Sequence, residues 1–196
     1  MKINFRGIAV SFLGVLRKNA GAILVFIVIL FSSYSANAQK IAVKTNALEW
    51  VTMSPNISAE FVVSPTMSLD LSASFNEWTP FSNVQFDHLK IQPELRYWFQ
   101  RPMAQHFVGF TLLYIDYDIE NKGICHDGQA LAGGFTYGYD FVLGKRWNLE
   151  LTAGVGALYR FERKYEVGSP RPTQNNANRW CLVPIKLGVT VSYVIF

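Results

Sequence analysis

The 196-residue chain is poor in charged residues and in cysteine. Charged residues make up 16% of the chain, against about 25% in soluble domains, which disfavours an ordinary cytoplasmic protein. Two cysteines in so long a chain exclude a disulfide scaffold. The aromatic content of 15% excludes a disordered chain, because such chains contain few aromatic residues.

The first 38 residues contain no Asp or Glu, yet they hold four of the 18 basic residues. The remaining 14 basic residues are balanced by 14 acidic residues. The basic isoelectric point therefore belongs to the N-terminal segment, and the sequence predicts no nucleic-acid partner.

The same segment has the three parts of a secretory signal peptide. Lys2, Arg6, Arg17 and Lys18 form a positive start, an apolar run covers residues 20–31, and Ala36-Asn37-Ala38 forms a small-x-small cleavage site. A transmembrane anchor is the alternative, but a spanning helix needs about 20 apolar residues. We expect a signal peptide at residues 1–38 and a mature domain at residues 39–196.

Beyond Ala38, no apolar run reaches the length of a membrane-spanning helix, and alternation of apolar and polar residues recurs. Alternation with period two predicts β-strands. The eight predicted strands cover residues 41–50, 57–63, 67–76, 89–99, 106–120, 131–143, 149–161 and 185–195. The sequence therefore predicts an all-β fold.

Short connections alternate with longer ones at residues 78–88, 121–129 and 167–178, which is typical of an eight-stranded antiparallel transmembrane β-barrel. A secreted sandwich or a lipocalin-like barrel would show the same alternation. Either alternative would carry Lys and Glu freely on its wetted face, whereas the polar face here holds mainly Gly, Ser and Thr. This composition fits the narrow interior of a small barrel. We expect an outer-membrane location with both termini in the periplasm.

Charged residues on the polar faces of these strands would point into the barrel. They are Lys44, Glu60, Asp70, Glu94, Arg96, Asp140, Glu150, Arg160 and Lys186. Because buried charges persist when they are paired, the near balance of five acids and four bases predicts a structural plug of ion pairs. A narrow ion or solute path through the lumen is the alternative.

Metal binding and hydrolysis are two other functions that residues of the predicted outer loops could serve. Asp87-His88 and Cys125-His126-Asp127 could supply metal ligands, but neither loop has zinc-type spacing. Ser82 with His88, or Ser169, could serve a lipid-A-modifying hydrolase, but no strand places a His beside a Ser at membrane depth. We therefore expect no enzyme, no cofactor and no metal site. Cys125 and Cys181 could form one disulfide in an oxidising compartment.

Aromatic and basic residues fall near the predicted strand ends. Trp50, Trp78, Trp147 and Trp180 fit the aromatic girdles of a barrel, and basic residues around the last outer loop could meet lipopolysaccharide phosphates. Tyr193 and the final Phe196 resemble the C-terminal signal that barrel-assembly machinery recognises.

Several segments resemble one family. They are Lys44-Thr45-Asn46, the run from Gln92 to Trp98, Tyr137-Gly138-Tyr139, and the turn from Leu143 to Glu150. Together they are similar to the small outer-membrane barrels called domain of unknown function 3575. The resemblance implies an eight-stranded outer-membrane barrel from a Gram-negative bacterium. Because some members are encoded near fimbrial genes, it also implies a part in surface assembly.

The predicted function is therefore a non-enzymatic one in the cell envelope. We expect a structural or surface-assembly role carried by the extracellular loops. The expected partners are outer-membrane lipid and lipopolysaccharide, the barrel-assembly machinery, and a surface or fimbrial subunit.

Overall fold

A computed structural model describes residues 40–76, 84–121, 123–170, 172–174 and 176–195. This part of the chain consists of eight β-strands and one short helix. In chain order they are β1 (Ile41–Asn46), α1 (Ala47–Val51), β2 (Asn56–Ser64), β3 (Met67–Asn76), β4 (Val84–Trp98), β5 (Gln105–Asn121), β6 (Ile124–Val142), β7 (Trp147–Glu166) and β8 (Arg179–Val194).

The eight strands form a closed ring. Each strand pairs antiparallel with the next, and β8 pairs with β1. The predicted all-β class and the predicted eight antiparallel strands are confirmed. The predicted signal peptide at residues 1–38 lies outside the described residues. Within the described part of the chain, no helix is long and apolar enough to cross a membrane.

The ring has two ends that differ in their connections. At the turn end, β2–β3, β4–β5 and β6–β7 are joined by short segments, and β1 begins and β8 ends there. At the loop end lie α1, the end of β3 and the start of β4, the end of β5 and the start of β6, and the end of β7 and the start of β8.

The first strand is shorter than predicted, because a helix replaces its second half. The side-chain oxygen of Asn46 accepts a hydrogen bond from the Leu48 backbone N–H at 3.1 Å. Such an N-cap satisfies a donor that has no partner within the helix. The chain therefore leaves the sheet at Asn46, and the prediction of a strand through Trp50 is wrong.

The predicted outer loop at residues 121–129 is also wrong. β5 and β6 remain paired up to Asn121 and Ile124, so only two residues of the sequence separate the paired strands. Cys125, His126 and Asp127 consequently lie in β6, and His88 lies in β4 rather than in a loop. β5 was predicted to residue 120, close to its observed end at Asn121. The start of β6 carries polar residues on both faces, so it lacks the alternation from which a strand is predicted.

The two faces of the ring have opposite chemistry. Buried polar side chains point inward; they include Lys44, Glu60, Asp70, Gln92, Glu94, Arg96, Thr111, Thr136, Asp140, Glu150, Thr152 and Ser192. Large apolar side chains are exposed on the outside; they include Leu71, Leu95, Phe110, Leu112, Leu131, Phe135, Leu151, Val155, Leu187 and Val191. A water-soluble sheet structure would bury the apolar set instead.

A β-bulge in β8 reverses one predicted orientation. Gly154 lies opposite Lys186, but Val155 lies opposite Pro184, so Ile185 is the extra residue. Because a bulge shifts the alternation by one residue, Ile185 is buried at 5% exposure rather than facing outward with Leu187. It packs with an apolar cluster inside the ring, formed by Leu113, Ala132 and the partly buried Leu158.

Candidate functional site

Arg96 of β4 is the centre of the charged interior. Its side chain is fully buried. Nη1 donates to Glu60 Oε2 at 3.1 Å and to Glu150 Oε2 at 2.8 Å. Nη2 donates to Asp70 Oδ2 at 2.9 Å and to Glu94 Oε2 at 3.1 Å. One guanidinium therefore joins carboxylates from four strands of the ring.

Two lysines complete this interior network. Lys44 pairs with Glu60 and, at 2.7 Å, with Glu150. Lys186 pairs with Glu94 and, at 3.3 Å, with Asp70. The interior network is thus formed by Lys44, Glu60, Asp70, Glu94, Arg96, Glu150 and Lys186, seven of the nine residues that the sequence analysis proposed for the lumen.

Hydroxyl groups supply further donors to these carboxylates. Ser68 donates to Glu60, and Thr152 donates to Glu150 Oε1 at 2.7 Å. Thr136 donates to Glu94 Oε1 at 2.5 Å. Four carboxylates face three bases, and the hydroxyl donors help to stabilise the remaining negative charge. Buried ions require such additional hydrogen bonds as well as opposite charges.

The other two proposed lumen residues lie inside the ring but outside the interior network. Asp140 is near the turn end, where Asn148 Nδ2 donates to its Oδ2 at 2.9 Å. Arg160 is toward the loop end and pairs with Glu162 at 3.1 Å. The structure therefore separates them from the seven residues around Arg96.

An apolar plug that the sequence analysis missed lies on the turn-end side of the interior network. It consists of Trp98, Phe107, Met103 and Ala104, all buried. The Phe107 ring centroid lies 4.4 Å from Arg96 Cζ, and Trp98 Nε1 donates to Ser68 Oγ at 2.7 Å. Because Trp98 is two residues after Arg96 on the same strand, alternation alone places both on one face.

Close packing around this plug requires a glycine. Gly138 of β6 lies directly against the Phe107 ring, and a Cβ atom at this position would overlap ring carbons and approach Leu151 O. The small residue allows a large aromatic side chain inside a narrow ring.

An ion pair that the sequence analysis did not predict lies on the loop-end side of the interior network. Glu49 of α1 accepts from Lys90 Nζ at 2.6 Å. Burial raises the pKa of the Glu49 carboxyl, but the adjacent Lys90 outweighs burial and holds that pKa below its usual value. The sequence analysis missed this contact because it placed Glu49 in a strand.

Polar side chains also meet inside the ring near the loop end. Glu162 accepts from Tyr117 OH at 3.2 Å and contacts His126 Nδ1, in addition to its pair with Arg160. His126 therefore faces a carboxylate partner. Among the described residues, no group of three or more His, Cys, Asp or Glu side chains could hold a metal ion. Ser82 lies outside the described residues.

The suggested disulfide is not formed. Cys125 lies in β6 and Cys181 in β8, with β7 between them, and both are thiols. Cys181 Sγ lies 3.8 Å from Leu158 O. The suggestion failed because it placed Cys125 in a movable loop, whereas the paired strand fixes its position.

Aromatic side chains lie at both ends of the outer face. Trp147 contacts Tyr193 edge-to-face at 5.0 Å near the turn end, and Arg146 Nη1 donates to Tyr193 OH at 2.9 Å. Trp50 and Trp180 are exposed near the loop end. Phe196 and Trp78 lie outside the described residues.

Comparison with known proteins gives one informative result. A search of curated proteins finds no match to the chain. A family model described as "Protein of unknown function (DUF3575)" matches residues 23–195. The chain therefore belongs to the DUF3575 family.

Proposed function

We propose that the protein is a non-enzymatic outer-membrane β-barrel with a structural or surface-assembly role, exported by a cleaved signal peptide. The inside-out distribution of side chains carries this proposal. Phe135 is 70% exposed and Val155 is 67% exposed on the outer face, while Arg96 is fully buried inside. A bilayer is the solvent that favours this arrangement, since it accepts apolar side chains and the closed ring pairs the backbone.

The contents of the ring argue for a structural barrel rather than a pore. The interior network occupies the central level, and the apolar plug closes the turn-end side. An eight-stranded barrel is about wide enough for its own side chains to fill. Conduction would require several buried ion pairs to separate together.

The loop end supplies the surface that a partner would meet. β5, β6 and β7 remain paired beyond the apolar outer face and carry outward polar side chains there. Gln129 donates to Asp116 at 3.0 Å, and Arg163 donates to Asp127 at 3.2 Å. We propose that this extension lies outside the membrane, where lipopolysaccharide and a surface or fimbrial subunit would contact it. Tyr193 at the other end of the ring, together with the final Phe196 of the sequence, would serve the barrel-assembly machinery.

Membrane insertion is tested with the full chain expressed in a Gram-negative host. We expect the protein in the outer-membrane fraction, resistant to carbonate extraction, with a gel mobility that changes on heating. Release by carbonate and unchanged mobility would contradict the proposal.

The assembly role is tested by pull-down of the tagged protein from its own outer membrane in mild detergent. We expect a surface subunit to be recovered, and to be lost when residues 118–127 are replaced by an Asn-Gly turn. A variant changed at the turn end, Lys145→Ser, is the control. If the barrel is recovered alone, lipid A mass in a deletion strain and conductance in planar bilayers test the hydrolase and the ion path.

A further inference from the structure

A groove lies on the outer face of the ring next to α1. Its volume is about 230 Å³. Eight residues line it, and none is charged: Trp50, Pro55, Asn56, Ile57, Ala73, Ser74, Phe75 and Leu89. Ile57, Ala73, Phe75 and Leu89 alternate with inward-facing residues on β2, β3 and β4. The small Ala73 lies between larger neighbours and forms the floor.

The polar atoms at the edge of this groove are engaged within the protein. Trp50 Nε1 donates to Thr45 Oγ1 at 2.8 Å, so the indole presents carbon atoms to the groove. Asn56 Nδ2 donates to Asn46 O at 3.0 Å and to Ser54 O at 3.2 Å, while its Oδ1 accepts from Asn46 N at 2.6 Å. Ser74 is buried at 1% exposure and faces the inside of the ring. An occupant therefore meets an apolar surface rather than hydrogen-bonding groups.

The backbone around the groove also excludes a peptide strand as occupant. β3 is paired with β2 on one side and with β4 on the other across the whole groove. Peptides that bind by strand addition need an unpaired sheet edge. A charged headgroup would find no opposite charge among the lining residues. An unbranched hydrocarbon chain needs neither kind of contact.

The groove lies at a position where a hydrocarbon chain of a lipid would be found. It continues the apolar outer face toward the loop end, above the exposed Leu71. Beside it, α1 turns Glu49 inward to Lys90 and leaves Leu48, Trp50 and Val51 exposed. Tryptophan at such a boundary suits a membrane–water interface, since the ring is amphipathic.

We propose that this groove binds one acyl chain of a lipid in the leaflet at the loop end of the ring. This inference rests on the proposed membrane location. It adds a defined lipid site to a surface that otherwise contacts many exchanging lipids. Trp50 forms one wall of the site, and Ala73 leaves the space that the chain occupies.

The test uses the full chain in nanodiscs of phosphatidylethanolamine and phosphatidylglycerol. The protein is transferred to detergent, and retained phospholipid is counted by native mass spectrometry. We expect one retained phospholipid per protein. Ala73→Phe fills the groove, and we expect retention to fall roughly tenfold, the effect of about two methylene groups losing their contact.

Ala157→Phe is the matched control, because Ala157 lies on the exposed outer face of β7, away from the groove. Retention in this variant should equal that of the unaltered protein. Trp50→Ala, which removes a wall without adding volume, should also lose the lipid if Ala73→Phe folds poorly.

Four results would overturn the inference. Equal retention in all variants would show exchanging lipid only. A dimer mass that Ala73→Phe abolishes would identify a second copy as the occupant. No retained lipid from a protein that inserts and shifts its gel mobility would refute the groove and leave the proposed membrane location intact, whereas failure to insert would refute both.

Discussion

The inner and outer walls of the ring are built from alternating residues of the same strands, yet they are suited to different surroundings. In β4, Glu94 and Arg96 are buried inside, while their neighbours Leu95 and Tyr97 are exposed outside. The inner wall obtains its stability from ion pairs and hydrogen bonds between side chains. The outer wall has apolar side chains with few protein neighbours. Charge and burial therefore go together in this protein, which reverses the pattern of soluble domains.

Removing Arg96, the centre of the inner wall, should destabilise the ring more than the substitutions at Phe135, Ile185 or Glu49. Arg96→Met would leave carboxylates buried without their shared partner, and we expect a loss of about 3–5 kcal/mol in the free energy of unfolding. Urea unfolding in lipid vesicles, followed by tryptophan fluorescence, measures it. The control is Arg179→Met, because Arg179 is exposed at the start of β8, and we expect a change within about 0.5 kcal/mol there. Equal losses would contradict the assigned role of the interior network.

A charge on the outer wall should cost somewhat less. Phe135→Arg places a cation midway along the apolar outer face, and we expect a loss of about 2–4 kcal/mol in vesicles. Val167→Arg is the control, since Val167 is an exposed apolar residue in the connection beyond β7. Its expected effect is within about 0.5 kcal/mol. A neutral Phe135→Arg would mean that water, not lipid, covers the outer wall.

The bulge in β8 predicts a smaller difference between two residues that are two positions apart, Ile185 and Leu187. Ile185→Val removes a methylene from the apolar cluster inside the ring, and we expect a cost of about 0.5–1.5 kcal/mol. Leu187→Val, on the outer wall, should change the unfolding free energy by less than about 0.5 kcal/mol. Unfolding in vesicles compares the two variants, and the reverse order would contradict the inward orientation of Ile185.

The smallest expected effect concerns pH at the loop end. The pKa of Glu49 lies below its usual 4.5, so its pair with Lys90 contributes stability above pH 4.5 that is lost as the pH falls through the folded-state pKa. Glu49→Gln should therefore be less stable than the unaltered protein at pH 7, and the difference should disappear in acid. Glu166→Gln, at an exposed position, serves as the control; a difference that persists in acid would contradict the ion pair.

The sequence predicted the class of fold because alternation is strong wherever the two walls meet different surroundings. β3 was predicted with its observed bounds, and alternation placed Glu94 and Arg96 on one face. Prediction failed where that contrast ends. The loop-end part of β6 carries polar residues on both faces, so this strand was predicted to begin at residue 131 rather than at Ile124. The bulge shifts the alternation at Ile185, and no residue type in the sequence indicates it.

Contacts between distant strands could not be predicted from the sequence, because alternation gives the face of a residue but not its partner. The set of inward charges could be predicted from alternation, but the partners of Arg96 depend on the register of several strands. The pair of Glu49 with Lys90 was missed because the chain leaves the sheet at Asn46, and the helix N-cap that Asn46 forms was not recognised in the sequence.

Whether lipid or water covers the outer wall decides whether the ring is embedded in a membrane. Spin labels attached to cysteines at Phe135, Val155 and Leu112 would be compared in vesicles with a label at Lys145, in a chain whose Cys125 and Cys181 are replaced by serine. A lipid-covered outer wall predicts that the first three labels collide readily with oxygen and rarely with a water-soluble nickel complex, and that the label at Lys145 does the opposite. Ready collision of the nickel complex with all four labels would contradict a membrane-embedded ring.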